Sequence, residues 1–300
     1  MNHTIEFDAP FGFSLAAAAD FYAGFEPMGG AAGLRVGRLV LAFLLDRTFE
    51  PVGATLTQRE GTLRLEVEGT NDVPAVRRQV TRMLGLEADG RAWTDLGRKD
   101  PLFGTLQQQW PGFFTAGFPS PWEAGFSGVL SHRSSVKQAS VLRQRLSLRY
   151  GAPVAGLHTL PSPETVLARP SLEGVPEQKH AVLRGLARAA LEGALDAEHL
   201  RGMESARAVD QLQRIHGVGP WTATHMLVRG ASTQDVVATT EPRVFRAFTA
   251  AYGRPERDFH AVASAWKPFR TWACIILVRH LARLGQWAAV PDDFRRRRAG

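Results

Sequence analysis

The chain reads as an α+β protein in which a small antiparallel sheet domain precedes a mainly helical body. Three observations predict this. Two-residue alternation of apolar side chains lies before residue 70, and beyond Trp122 the apolar spacing turns helical. The third is size: 300 residues, 44% apolar and 22% charged, are those of a folded chain too long for one core.

Leu39–Phe43 is a continuous apolar strand, while Thr55–Thr57 and Leu63–Val67 alternate on either side of a turn-like Arg59-Glu60-Gly61. A helix is predicted over Val73–Leu84, with Val76, Val80, Met83 and Leu84 on one face and Gly85 at its end. Residues 86–121, rich in Gly, Pro and short polar side chains, read as the passage between domains, which places an N-terminal domain with its linker at 1–110 and the helical body at 111–300. In that body Val129–Tyr150 has helical spacing and ends at Gly151, and Ser162-Pro163-Glu164 opens a helix into Val166 and Leu167. Further helices are read at Gln178–Leu195, Ala206–Ile215, Trp221–Arg229, Val244–Tyr252 and Trp266–Leu284. No repeat is found at a solenoid period.

Composition excludes several classes. The longest apolar runs, Leu39–Leu45 and Trp272–Val278, fall far short of the ~20 residues of a membrane span, so no membrane partner is expected. The opening MNHTIEFDAP has neither a basic stretch nor an apolar core, so no secretory signal is expected and a cytoplasmic, nucleoid-associated location is. The one cysteine, Cys274, rules out an internal disulfide and a cysteine zinc site; nine scattered histidines show no metal-ligand spacing. Charge is unevenly placed: residues 1–110 carry 11 basic and 14 acidic side chains, residues 111–300 carry 25 and 15. Only Lys99, Lys137, Lys179 and Lys267 are lysines, and genomic base composition is the first reading of that arginine excess. A basic segment joined to an acidic one still favours a polyanionic partner, and the terminal run Arg295–Arg298 reads mainly as a solvated tail.

Most of the chemical information lies in Leu212-Gln213-Arg214-Ile215-His216-Gly217-Val218-Gly219-Pro220-Trp221-Thr222-Ala223, two helices joined by Gly-Val-Gly. Glycines permit a tight turn and close backbone approach. The amides opening the second helix carry partial positive charge and can hold a phosphodiester without reading its sequence. An ordinary helix–helix turn is the plain alternative, but the surrounding pattern is far more restrictive than the two glycines.

With that pattern the chain resembles the helix-hairpin-helix DNA glycosylases, in the 3-methyladenine DNA glycosylase II branch. The resemblance extends to Gly230–Val237, to Trp266-Lys267-Pro268-Phe269-Arg270-Thr271-Trp272-Ala273, to Arg77–Leu86 and Asp100-Pro101-Leu102, and to the helical region Ser120–Tyr150, covering most of residues 55–290. It implies a two-lobed helical glycosylase body, its hairpin at about 206–230 and its active-site cleft between the lobes. It also implies a partner, double-stranded DNA carrying a damaged base, and a monofunctional enzyme that hydrolyses the N-glycosidic bond of an alkylated purine such as 3-methyladenine or 7-methylguanine. Gly217, Val218, Gly219 and Thr222 would contact the backbone. His132, Arg133 and Ser134 would lie in the loop that enters the duplex, with Arg133 where the family carries an apolar wedge; a surface arginine beside the backbone is the alternative. Trp221 and His225 would line an aromatic pocket, each with a packing role as its alternative. Trp221 stands where bifunctional relatives have a Schiff-base lysine, so no lyase step is expected.

The family's catalytic aspartate falls on Glu241, which keeps the charge but adds a methylene and is held extended by Pro242. Three readings stay open: Glu241 is the carboxylate, Asp235 is, or the protein binds damaged DNA with little or no hydrolysis. A glycosylase for another damaged base is a further alternative. The branch's late helical tryptophan is replaced by Val278, and Trp272 reads as core. By the same resemblance the main-chain carbonyls of Gln213, Ile215 and Val218 would hold a monovalent cation, Na or K, with no other cofactor, no nucleotide and a monomeric chain expected.

Overall fold

The computed structural model describes residues 2–25, 28, 32–35 and 37–285. The arginine run at 295–298 lies outside them. The chain forms two compact units, the first made of the residues up to Arg91 with Pro111–Thr233, the second of Ala92–Trp110 with the residues from Gln234 on.

The first unit opens with β1 (Asn2–Asp8) and α1 (Leu15–Gly24), then β2 (Ala32–Arg35), β3 (Arg38–Leu44), β4 (Pro51–Arg59) and β5 (Thr62–Glu68). The strands form an antiparallel five-stranded sheet in the order β1-β5-β4-β3-β2. In β5 Leu63, Leu65 and Val67 are buried while Arg64 and Glu68 are exposed, the alternation of a half-covered strand. All of Leu39–Leu44 in β3 is buried, which explains its unbroken apolar sequence. β1 adds along β5 from Asn2 opposite Glu68 to Asp8 opposite Thr62; neither it nor α1 is signalled by the sequence pattern. Helix α2 (Val73–Met83), capped by Asp72, follows the sheet. Its buried Gln79 donates to the carbonyls of Leu44 and Pro119 (2.9 and 3.2 Å), joining the sheet to the helices.

The passage expected at 86–121 contains α3 (Gly90–Lys99) and α4 (Pro101–Gln107), so it is no plain linker. On its return the chain builds the helices of the first unit: α5 (Pro121–Ser131), α6 (Val136–Tyr150), a short ribbon β6 (Pro153–Val154) and β7 (Leu157–His158), α7 (Pro163–Leu167), α8 (Glu177–Leu191), α9 (Ala197–Gly202), α10 (Ser205–Gln213) and α11 (Pro220–His225), which runs into a π-helical turn at Met226–Gly230. The single helix expected over Val129–Tyr150 is two. Arg133 takes the left-handed conformation (φ 52°), and Ser135 starts α6 with a reciprocal capping box to Gln138. Beneath that break Arg143 of α6 and Glu123 of α5 form an ion pair (3.0 Å) with side chains 1% and 0% exposed. Arg143 also donates to Ser127 Oγ (3.1 Å), and the Leu44 amide donates to Glu123 (3.3 Å).

The second unit comprises α3, α4, α12 (Pro242–Tyr252), α13 (Phe259–Ser264) and α14 (Arg270–Arg283). Its centre is aromatic: Trp93 meets Trp272 edge-on (5.1 Å) and Phe269 (5.3 Å), and Phe103 meets Trp266 (6.0 Å). These contacts draw residues 92–110 to the C-terminal helices, so the compact units do not divide at residue 110. Asp100 caps α4 and accepts from Tyr252 Oη (2.6 Å) and Trp266 Nε1 (3.3 Å). Helix α14 begins at Arg270, four residues later than expected, after the Pro268 that cannot sit inside it.

Candidate nucleic-acid interface and pocket

Two glycines shape the turn between α10 and α11 in different ways. Gly217 is left-handed (φ 80°), and a Cβ there would collide with Val182 of α8. Gly219 has ordinary extended backbone (φ −84°, ψ 175°), and a Cβ there would meet nothing within 4 Å. It is the N-cap of α11 and, as a glycine, has no side chain with which to cap the first amides of that helix. Gly217 and Gly219 are exposed while the Val218 side chain is 5% exposed and anchors the turn inward. The Ile215 carbonyl, one of three expected at a cation, accepts from the Val218 amide (3.0 Å); a carbonyl has a second lone pair, and three such hard oxygens suit an alkali cation.

The loop between α5 and α6 is tied to this hairpin. His132 Nε2 is hydrogen-bonded to Thr222 Oγ1 (2.9 Å). Thr222, expected on a phosphate, is instead 2% exposed, with its hydroxyl engaged inside the protein. Lys179 of α8 donates to the Leu130 carbonyl (2.7 Å) and to Ser134 Oγ (3.0 Å), and burial holds its ammonium below the usual lysine range. Ser131 Oγ donates to the Ser127 carbonyl (2.9 Å). Ser134 is therefore a loop brace, and Arg133 projects from the tip, exposed. Lys179 carries no motif; an isolated lysine on an amphipathic helix gives no sign of its reach.

Trp221 and His225, one turn apart on α11, stack with centroids 4.9 Å apart and planes 9° from parallel. Phe118 meets His225 edge-on at 5.4 Å and Phe25 at 5.3 Å. A Cβ on Gly128 of α5 would lie 3.3 Å from Thr222, 3.7 Å from Trp221 and 3.8 Å from His225, so the absent side chain lets α5 approach these rings. Trp221 and His225 are half-buried, Phe118 wholly buried. The rings form an aromatic wall with one partly open face.

Glu241 belongs to the second unit. Its backbone is extended (φ −103°, ψ 101°), and it stands just before α12, as Pro242 requires. Its carboxylate, 16% exposed, is gripped by Arg243: the Arg243 Nε donates to Oε1 (2.7 Å), Nη2 to Oε2 (2.6 Å) and the Arg243 amide to Oε1 (3.1 Å). Nothing in the sequence singles out Arg243 beyond its place two residues after the acid. Asp235 has a different task. It accepts from the Arg270 amide (3.2 Å), Nε (2.7 Å) and Nη2 (2.9 Å), closing the N-terminus of α14. Thr271 exchanges hydrogen bonds with Val236 (both 2.8 Å), so the stretch leading to Glu241 is stitched to that helix. Val278 is half-buried and Trp272 is 2% exposed, a core residue.

No family model matches the chain. Over 217 residues it is 29% identical to the probable bifunctional transcriptional activator/DNA repair enzyme AlkA of Mycobacterium tuberculosis, an alignment covering 70% of this chain and 43% of that protein. It is 28% identical over 179 residues to DNA-3-methyladenine glycosylase 2 of Escherichia coli, covering 57% and 62%. The matched stretch thus spans less than two thirds of either relative. The solved 3-methyladenine DNA glycosylase of Archaeoglobus fulgidus superposes with a TM-score of 0.76 at 20% identity, over 91% of this chain and 97% of that one. At that identity it shows a shared fold.

Proposed function

We infer that this chain, which belongs to the helix-hairpin-helix DNA glycosylase superfamily, is a DNA glycosylase that releases alkylated purines of the 3-methyladenine and 7-methylguanine type by hydrolysis alone. The observation that carries this reading is the hairpin itself: Trp221, an aromatic ring and not an amine, stands two residues after the second glycine and stacks on His225.

Gly217, Val218 and Gly219 present main-chain amides to a phosphate of duplex DNA, with the carbonyls of Gln213, Ile215 and Val218 holding a Na or K ion beside it. Arg133 fills the gap that the extruded base leaves. Trp221 offers an electron-rich face to a base made cationic by alkylation. Such a base is already a good leaving group: the glycosidic bonding pair departs with it and cancels its charge, while water adds to C1′ and loses a proton. Glu241 stabilises the positive sugar that develops in between, and Arg243 fixes the direction of its carboxylate. With tryptophan at the Schiff-base position, no lysine is supplied there to cut the strand.

The grip of Arg243 on Glu241 favours one second reading, a damage-binding protein with little hydrolysis. A release assay on duplex containing 7-methylguanine separates them. Release by the wild type and not by Glu241→Gln supports the enzyme; tight binding of lesion duplex with no release by either supports the binder. Strand cleavage, or a borohydride-trapped adduct, would contradict the absence of a lyase step.

A further inference from the structure

We propose that the outer edge of β1, with the groove between β1 and α2, docks an extended peptide segment of a partner protein. One face of that segment carries an apolar residue flanked by carboxylates, and the other face carries lysines. The inference goes beyond the glycosylase reading and does not depend on it.

β1 is the last strand of the sheet, and among the described residues no strand pairs with its outer edge. Its seven residues run opposite β5 in unbroken register, from Asn2 facing Glu68 to Asp8 facing Thr62. His3 Nε2 is hydrogen-bonded to Asn71 Oδ1 (3.1 Å), which ties the start of the strand to the approach to α2. An edge strand with neither proline nor bulge presents a row of amides and carbonyls on which another strand can add.

The cover over the sheet gives out at this edge. Leu63, Leu65 and Val67 of β5 are buried, whereas Phe7, Ile5 and His3 opposite them are only half-buried. Beside Ile5 lies an open groove of about 500 Å³, lined by Ile5, Val73, Pro74 and Thr81 together with the charged Arg77, Arg78 and Glu87. Glu87 is already paired with Arg201. Arg77 lies over the Phe7 ring (4.9 Å to its centroid), Arg78 is exposed, and neither has an ion-pair partner among the described residues.

The chemistry of the two faces selects the occupant. A strand added about 4.8 Å beyond β1 sets alternate side chains over the groove. There an apolar residue meets Ile5, Val73 and Pro74, and carboxylates on either side of it meet the two guanidinium groups. The remaining side chains fall beside Thr4, Glu6 and Asp8, all exposed, where lysines complete cross-strand pairs. A second copy of β1 with its Ile5 over the groove would add Glu6 and Asp8 to the face that already carries them, and no carboxylate to Arg77 and Arg78. Duplex DNA would answer the arginines but leave the apolar lining and the strand edge unused.

The test is fluorescence anisotropy with a labelled heptapeptide, blocked at both ends, in which four lysines alternate with aspartate, valine and aspartate. Wild-type protein is expected to bind it with a Kd below about 1 mM. Two further peptides carry N-methyl groups on every second residue, one in each phase. Methylation in the phase that faces β1 is expected to weaken binding at least about tenfold, the scale of two or three main-chain hydrogen bonds, and methylation in the other phase far less. Replacing both arginines, Arg77→Glu with Arg78→Glu, is expected to weaken binding at least about tenfold while the thermal midpoint stays that of the wild type. No wild-type binding, or no difference between the two methylated phases, overturns the proposal. So does a double variant that loses affinity for duplex DNA and keeps it for the peptide, which gives the arginines to DNA. A wild-type chain that sediments as a dimer and is split by Ile5→Arg overturns it as well, because the edge then belongs to a second copy.

Discussion

Gly217 and Gly219 lie two residues apart, and their surroundings assign them separate failures. Alanine at Gly217 must adopt a left-handed backbone and displace Val182, so Gly217→Ala is expected to cost stability by about 1–2 kcal/mol or more. Alanine at Gly219 meets nothing among the described residues and needs no unusual backbone. Gly219→Ala should leave the thermal midpoint within about 2 °C of wild type while weakening duplex binding, because the added methyl stands where a phosphate would approach. Calorimetry with a binding isotherm on both variants checks this; normal DNA binding by a well-folded Gly219→Ala would contradict the phosphate role. Cys274 is a second single-residue case. Burial lifts its thiol to about 12, so native protein should stay silent to a thiol reagent at pH 8 and yield one thiol per chain in denaturant.

At the scale of elements, the α5–α6 pair shows how the loop that carries Arg133 is held by buried groups. Glu123 and Arg143 are buried together, and burial lifts Glu123 to about 7 against the pull of Arg143. Arg143→Met leaves that acid without its partner and should cost about 3–5 kcal/mol, whereas pairing it with Glu123→Leu should recover much of the loss, as measured by urea unfolding. Helix α8 adds a pH dependence of known sign. Burial, with Arg184 beside it, holds His180 below the ordinary histidine value, so the folded chain binds fewer protons than the unfolded chain. Its contribution is complete above about pH 6.5 and declines as the pH falls. Glu123 acts with opposite sign between its ordinary value and about 7, so the effect is read as the difference between wild type and His180→Leu across pH 5–7.5. Much of this was legible in the sequence: the alternating strands, the glycine turn and the break imposed by Pro242 all follow from local rules. What was not legible depends on partners distant in sequence. The polar edge strand β1 becomes a strand only beside β5, α3 and α4 look like linker until Trp93 and Phe103 find Trp266, Phe269 and Trp272, and Lys179 and Arg243 gain meaning only from what they touch.

For the whole molecule, the split in charge between residues 1–110 and 111–300 places the basic excess on the part that carries the hairpin and the Arg133 loop. Phosphate contacts supply affinity by releasing counterions, so the logarithm of the binding constant should fall linearly with the logarithm of salt, with a slope near −0.9 per phosphate neutralised. Binding that ignores salt would contradict a grip on the DNA backbone. We propose, more narrowly, that a hairpin-bound duplex gives up an alkylated base because the Glu241 carboxylate stabilises the sugar it leaves. The most direct measurement is the rate at which free 7-methylguanine appears from methylated duplex under single-turnover conditions, for wild type and for Glu241→Gln at equal DNA occupancy. Release by the wild type and a fall of at least about 100-fold in the variant are predicted; equal rates for the two proteins, or no release by either, would contradict the claim.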